Sequence, residues 1–193
     1  MRRAALLLPC LLISVLCYSP TLHAQSSAPS ATIGFDLPLH SGSDSQLSSY
    51  WDLPSGASIY GSFPFYIGEM ELRATWAPMR AREISQPDLN NLLTTIGWGV
   101  PVQITRRFRM GVSIHIGNSF MYRPEHGFLE NPESEFTAGF VSYLQISLTK
   151  RIALRASARA TRIYTYHRMD LVHGKLGLSY AFRTPTWLHR FVQ

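Results

Sequence analysis

The segment between residues 135 and 161 reads EFTAGFVSYLQISLTKRIALRASARAT and contains two stretches of alternation. In the first stretch, apolar residues occupy most even positions from Phe136 to Leu148, and mostly polar or small residues occupy the odd positions. The second stretch keeps this parity as far as Thr161. Only Thr149-Lys150 separates the two, a spacing typical of a hairpin. Because a side-chain period of two indicates a β-strand with two different faces, the segment predicts two long antiparallel strands.

Six further segments show the same alternation, near residues 32–39, 57–65, 69–76, 95–104, 108–117 and 175–182. The predicted short connections are Tyr66–Gly68, Thr105–Arg107 and Thr149–Lys150. The predicted longer connections are His40–Ser55, Arg80–Asn91 and Arg123–Ser134, with a brief one at His167–Leu171. Short turns on one rim and longer loops on the other are typical of outer-membrane barrels. The sequence therefore predicts an all-β fold, an eight-stranded antiparallel up-and-down transmembrane β-barrel.

The two faces of the predicted strands differ in chemistry. One face is apolar and carries aromatic residues near the strand ends, as the lipid-facing girdles of a barrel do. The other face collects polar and charged residues, which we expect to form a lumen network: Asp36, Glu69, Glu71, Arg73, Arg109, His115, Glu135, Arg155, Arg159 and Lys175. An eight-stranded barrel has room inside only for side chains, so a plugged polar lumen is predicted. A soluble lipocalin-like barrel with the faces reversed and a β-sandwich remain alternatives.

The first residues have the pattern of a secretory signal peptide. Arg2-Arg3 precede an apolar run, and Leu22-His23-Ala24 forms a cleavage triplet, which predicts removal of residues 1–24. Both cysteines, Cys10 and Cys17, lie within that segment, so the mature chain is expected to lack disulfides and thiol ligands. Without the two arginines, the formal net charge falls from +6 to +4, which is too mild and dispersed for a nucleic-acid footprint.

Four regions follow from these patterns. The signal peptide spans residues 1–24, a short N-terminal segment 25–31, the β-barrel 32–183 and a C-terminal extension 184–193. Three predicted strands carry the likeness to a known group: IGFDLP at residues 33–38, GASIYGSF at 56–63 and KLGLSYAF at 175–182. The first two resemble the opening of the small outer-membrane barrels of the OmpA/OmpX type, and the third resembles their final strand. The resemblance implies a Gram-negative cell envelope, although those proteins usually end at the aromatic residue.

A fainter resemblance links the chain to lipid A deacylase barrels, which are acyloxyacyl hydrolase-like enzymes. It rests on Gly117-Asn118, on the segment Glu130–Glu133, and on His167 with the final strand. That family uses a His-x-Ser-Asn motif with an acidic partner, a nucleophile and base arrangement. The alignable site here is His167-Arg168-Met169-Asp170, in which methionine replaces the serine nucleophile. The resemblance therefore implies at most a hydrolase with a rearranged or lost active site.

A second weak catalytic candidate is the trio Ser113, His115 and Glu135. Ser113 and His115 share one strand face, and Glu135 begins the adjoining strand. Their parity places them inside the predicted barrel, where a hydrogen-bonded lumen histidine is the simpler interpretation of His115. No motif for a metal or cofactor occurs, and none is expected.

The function predicted from these features is a structural or interaction role, carried by outer loops of a barrel in the cell outer membrane. The expected partners are outer-membrane lipid, including lipopolysaccharide, and the barrel assembly machinery during biogenesis. The alternatives are a lipid A deacylase-like hydrolase and a narrow channel. A lumen packed with charged side chains argues against the channel.

Overall fold

The computed structural model describes residues 30–43, 45–53, 56–84, 86–125, 128, 132–165 and 168–183. The strands are β1 (Ser30–Ser43), β2 (Trp51–Asp52), β3 (Ala57–Phe65), β4 (Gly68–Ala81), β5 (Leu89–Gln103), β6 (Phe108–Tyr122), β7 (Glu133–Ser147), β8 (Ile152–Ile163) and β9 (Met169–Arg183). One short helix, α1 (Ser45–Tyr50), follows β1.

Eight of these strands close into one antiparallel barrel, as the alternation predicts. Each pairs with the next along the chain, β1 closes the barrel against β9, and the two-residue β2 extends the edge of β4. Thr161 on β8 pairs directly with Leu171 on β9. The strand partners of Thr161 can also be traced in the opposite direction around the barrel, through β7, β6, β5, β4, β3 and β1. This path ends on β9 at Ala181, which is ten residues beyond Leu171 in the chain. This shear of ten residues means that the strands tilt strongly around the barrel axis.

The apolar face of the barrel points outward and the charged face points inward. Ile59, Ile114 and Phe140 expose 60%, 65% and 62% of their surface, whereas Asp36 and Arg73 are buried inside. The lipocalin-like alternative requires the reverse orientation and is therefore wrong. A β-sandwich is also wrong, because β4 pairs with β5 and β1 with β9, so the barrel sheet has no open edge.

The two ends of the barrel differ in the length of their connections. At the turn end, the hairpin between β3 and β4 has only two residues, of which Tyr66 adopts a positive φ of 44°. The loop end carries the longer connections, although these are shorter than predicted because the strands continue into them. At this end β1 extends to Ser43 by means of a bulge at Leu39, and beyond the bulge Ser41 contacts the inward-facing His173. A bulge adds one residue to a strand and reverses the facing of those that follow.

An apolar cluster lies at the loop end of the barrel and was not predicted. Leu47 of α1 packs there against four buried side chains from the strand ends: Met79, Met121, Ile163 and Leu171. Trp51, Leu53, Leu89 and Met169 surround this group. These residues lie in or next to predicted loops, so the alternation did not identify them as a core.

Several predictions concern residues outside the described part of the chain. These are the signal peptide at residues 1–24, most of the segment 25–31, the extension 184–193 and His167. Among the described residues, no helix has the length and apolar character needed to cross a membrane.

Candidate functional site

The centre of the barrel interior contains a four-residue ion-pair chain. Arg73 on β4 pairs with Asp36 on β1 and, through Nε at 2.8 Å, with Glu71 on its own strand. The other oxygen of Glu71 accepts a hydrogen bond of 2.8 Å from Arg155 on β8. All four side chains are almost completely buried. Burying charge is costly unless it is paired, and here each carboxylate touches a guanidinium.

Two tyrosine rings flank the guanidinium groups of this chain. The carbon Cζ of Arg73 lies 4.5 Å from the ring centre of Tyr60, and Cζ of Arg155 lies 4.6 Å from the same ring. Arg155 also lies 4.1 Å from the ring centre of Tyr143. Cation–π contacts of this kind strengthen away from water. The rings therefore support the arginines on the sides that the carboxylates do not reach.

Glycines on the neighbouring strands make room for both rings. Gly34 lies opposite Tyr60, and a Cβ atom built on Gly34 would come within 2.3 Å of that ring. Gly111 lies opposite Tyr143 in the same manner, with 2.6 Å between a built Cβ and the ring. Each tyrosine ring thus packs over a glycine, and a larger residue in place of either glycine would clash with the ring.

A second ion pair lies closer to the turn end. Arg109 on β6 pairs with Glu69 on β4, and their side chains expose 29% and 16% of their surface. Between this pair and the apolar cluster, the interior also holds Arg159 and Lys175, whose hydrogen-bond partners are hydroxyl groups.

The structure brings together two of the three residues in the predicted Ser-His-Glu trio. Ser113 Oγ and His115 Nε2 lie 2.9 Å apart, inside the barrel. Glu135 pairs instead with Ser119, four residues along β6 from His115. The trio is therefore not assembled as a nucleophile, base and acid, and the hydroxyl–imidazole pair faces the interior, away from the outer wall.

The ten residues predicted for the lumen network all lie on strands of the barrel, but to different depths. Seven are buried: Asp36, Glu71, Arg73, His115, Arg155, Arg159 and Lys175. Glu69, Arg109 and Glu135 are half-buried. The alternation placed Tyr60 and Tyr143 on the inner face, but their contacts with arginine could not be foreseen, because the pairing register brings them together.

The outer wall carries a shallow groove of about 800 Å³ that spans β9, β1 and β3 to β6. Its apolar lining includes Ile33, Ile59, Leu72, Ile96 and Ile116. Thr94 and Asn118 also line it, lie directly opposite each other on β5 and β6, and are exposed. Two neighbouring polar side chains therefore interrupt a wall that is otherwise apolar at this level.

No metal site can be assigned in the part of the chain that the structure describes. No three His, Cys, Asp or Glu side chains group there in a way that could hold an ion.

A solved structure with this architecture supports the assignment of the fold. Neisserial surface protein A superimposes with a TM-score of 0.59 at 9% sequence identity, over 79% of this chain and 97% of that protein. The fold is that of small outer-membrane barrels. Ail, the attachment invasion locus protein of Yersinia pestis, has a TM-score of 0.49 at 14% identity, over 81% of this chain and 99% of Ail. OprG from Pseudomonas aeruginosa has the same score at 9% identity, over 82% and 97%.

The predicted resemblance to OmpA/OmpX-type barrels is thereby confirmed at the level of the fold. No model of a protein family and no curated protein sequence matches the chain.

Proposed function

We propose that this protein is an integral outer-membrane β-barrel with a plugged polar lumen, and that its role is structural or interactive, carried by the loop end. The observation that carries the proposal is the orientation of the wall. Exposed Ile, Leu, Val and Phe side chains surround a barrel whose interior holds paired charges. In water this surface would be far larger than a soluble monomer tolerates. In a bilayer the same surface faces hydrocarbon, and barrel closure satisfies the backbone.

The lengths of the strands support a membrane position. The barrel strands have between 9 and 15 residues, and about 9–11 residues suffice to cross a bilayer when a strand is tilted. Aromatic side chains lie near the loop end on the outer face, where Phe136 and Tyr164 contact each other with ring centres 5.6 Å apart. Tyr180 and Phe182 occupy the opposite end of β9. Two such belts are typical of barrels at the membrane surfaces.

Two observations support a plugged lumen. The ion-pair chain through Glu71 joins β1, β4 and β8 across the centre of the barrel. Nearer the loop end, Leu47 of α1 packs into the apolar cluster beside Met79 and Leu171. An ion crossing the barrel would have to break the first and pass the second. We therefore assign the proposed role to the loop end and not to the lumen.

The loop end offers charged groups to a partner. Arg82 pairs with Asp52 at 2.6 Å, and Arg162 pairs with Asp170 at 2.7 Å, both on the exposed surface. Outer-membrane lipid, including lipopolysaccharide, is the proposed neighbour of this rim and of the wall below it. Thr94 and Asn118 lie at the level of the aromatic belt, since Asn118 pairs with Phe136, and hydrogen-bonding groups of a lipid would meet them there. The barrel assembly machinery is the proposed partner during biogenesis.

Gel mobility and conductance test the membrane and lumen parts of the proposal. The purified, detergent-folded protein should migrate differently before and after boiling, as closed membrane barrels do. In planar bilayers it should produce no discrete conductance steps. A protein that stays soluble without detergent and migrates identically in both lanes would contradict the barrel in the membrane. Regular single-channel steps would contradict the plugged lumen alone.

Epitope insertion tests the orientation. A tag after Ile84, in the exposed loop between β4 and β5, should bind antibody on intact cells. The matched control carries the same tag after Arg106, in the turn between β5 and β6, and should bind only after the envelope is opened. The reverse pattern would place the loops in the periplasm and remove the basis for their proposed role.

Mass spectrometry of lipid A tests the hydrolase alternative. Cells with and without the gene should have the same lipid A acylation pattern if the role is structural or interactive. Loss of an acyl chain only when the gene is expressed would overturn the proposal in favour of a hydrolase.

A further inference from the structure

The barrel interior contains more buried positive charge than negative charge. Six acidic or basic side chains other than histidine are fully buried in the described part of the chain, each exposing 6% of its surface or less: Asp36, Glu71, Arg73, Arg155, Arg159 and Lys175. Four are cations and two are carboxylates. The half-buried pair of Arg109 and Glu69 is balanced within itself. The excess corresponds to two positive charges in a low-dielectric space, where an uncompensated charge is expensive.

The two cations in excess can be named. Asp36 and Glu71 are both engaged by Arg73 and Arg155. Arg159 and Lys175 are not within ion-pair distance of any carboxylate that the structure describes.

Their hydrogen bonds go to neutral hydroxyls instead. Arg159 donates to Thr161 at 3.0 Å and to Thr95 at 3.1 Å, and its Nη1 has no partner among the described atoms. Lys175 Nζ donates to Ser58 at 2.5 Å and lies 3.4 Å from Thr75.

Arg159 and Lys175 extend into the same part of the lumen. On β8 and β9 the two residues are diagonal neighbours, because Arg159 lies opposite His173 and Lys175 is the next inward residue. Both side chains then reach across the lumen to β4 and β5, where Thr75 and Thr95 are again diagonal neighbours. Diagonal positions lie roughly 7–8 Å apart. Side chains that start from such positions are close enough for their cationic ends to contact one small anion placed between them.

Lys175 borders a small, partly enclosed space. A cavity of about 10 Å³ is lined by Lys175, His173, Ser41 and Thr75 together with apolar residues such as Ala77, and Arg159 is not among its lining residues. That volume accommodates about one water-sized particle. The groups around it are an ammonium, two hydroxyls and an imidazole, none of which is a carboxylate. This environment favours an anion over a cation.

We propose that Arg159 and Lys175 form a buried site for a monatomic anion of the chloride type in the lumen, between the central ion-pair chain and the apolar cluster. The anion accepts hydrogen bonds from Arg159 Nη1 and Lys175 Nζ and offsets the excess of buried positive charge. The site goes beyond the role proposed for the loops and does not depend on it.

Halide-dependent stability tests the site. The full mature chain, folded in detergent, is unfolded by urea in sodium chloride, sodium bromide or sodium gluconate at equal ionic strength. Chloride and bromide should raise the unfolding midpoint in a saturable way relative to gluconate, which is too large to enter. Lys175→Met should lose this halide-specific rise, whereas Arg162→Gln, a change in an exposed ion pair, should retain it. An identical midpoint in all three salts for the unaltered chain would overturn the site, and so would a halide effect that survives in Lys175→Met.

Bromide crystallography tests the site directly and requires no substitution. Crystals of the unaltered protein grown in bromide should show an anomalous peak between Arg159 Nη1 and Lys175 Nζ. Bromide peaks confined to the protein surface would overturn the site. The shift in gel mobility is measured on the same preparation. It tests the membrane barrel independently of the anion site.

Discussion

Arg155 donates a hydrogen bond of 2.8 Å to Glu71 across the barrel interior, although the two residues are 84 positions apart in the chain. Glu71 also accepts from Arg73 at the same distance, so one carboxylate ties β4 to β8 and holds the arginine that reaches β1. A barrel held in this way resists changes of register, because a slip of one residue would turn these charges toward the outer wall.

Removal of the Glu71 carboxylate should therefore destabilise the barrel strongly. Glu71→Leu leaves Arg155 with no carboxylate and Arg73 with Asp36 alone. The expected loss of unfolding free energy is about 3–5 kcal/mol, because a buried charge is left uncompensated. Urea unfolding in lipid vesicles, followed by tryptophan fluorescence, measures it. Glu133→Gln at the exposed start of β7 is the control and should change little. Equal stabilities of the two variants would show that the ion-pair chain does not hold the barrel.

Adding a methyl group at a glycine that packs against a tyrosine ring should destabilise the barrel, because the site becomes overpacked. Gly111→Ala places a methyl group against the ring of Tyr143, which rests on Arg155. We expect a loss of about 1–3 kcal/mol in unfolding free energy. Gly174→Ala is the matched control, since nothing lies within 4 Å of a Cβ built there. Equal unfolding free energies for Gly111→Ala and Gly174→Ala would contradict this interpretation.

The apolar cluster should control the local stability of α1. Leu47→Ala removes the buried contact that the helix makes with Met79 and Leu171. Protease cleavage within the segment between β1 and β3 should become faster, while the global unfolding midpoint shifts less, since the barrel strands retain their pairing. Ile84→Ala, a fully exposed position in another loop, should leave cleavage there unchanged. Unaltered cleavage in Leu47→Ala would mean that the cluster does not anchor the helix.

A charge placed on the outer wall should report whether that wall faces lipid. Ile114 lies near the middle of β6 and exposes 65% of its surface. In a bilayer, Ile114→Arg should lower the unfolding free energy by about 2–4 kcal/mol, as expected for arginine on the lipid face at the midplane. Ile84→Arg in the loop should have almost no effect. A tolerated arginine at residue 114 would place this wall in water.

The alternation along residues 135–161 and in six further segments, together with the pattern of short and long connections, was sufficient to predict the strands, the faces and the barrel. It succeeded because a strand between lipid and a polar lumen must alternate with a strict period of two. The loop end was predicted less well. The segments His40–Ser43 and Leu89–Asn91 were predicted to be loops because polar residues interrupt the alternation there. Backbone pairing nevertheless continues through both segments. Leu47 and Met121 carried no such signal, since an apolar residue near a loop does not reveal its packing partner.

The sequence by itself determined that the chain forms a barrel with an apolar outside and a charged inside, because parity is a local property of each strand. It also brought Ser113 and His115 together, since they are neighbours on one face. Only the tertiary structure decided which charges meet, because a shear of ten residues brings Arg155 to Glu71 and leaves Glu135 beside Ser119. The same register leaves Arg159 and Lys175 without a carboxylate. The charge balance of the lumen depends on how the strands pair in the closed barrel, so it cannot be deduced from any single strand.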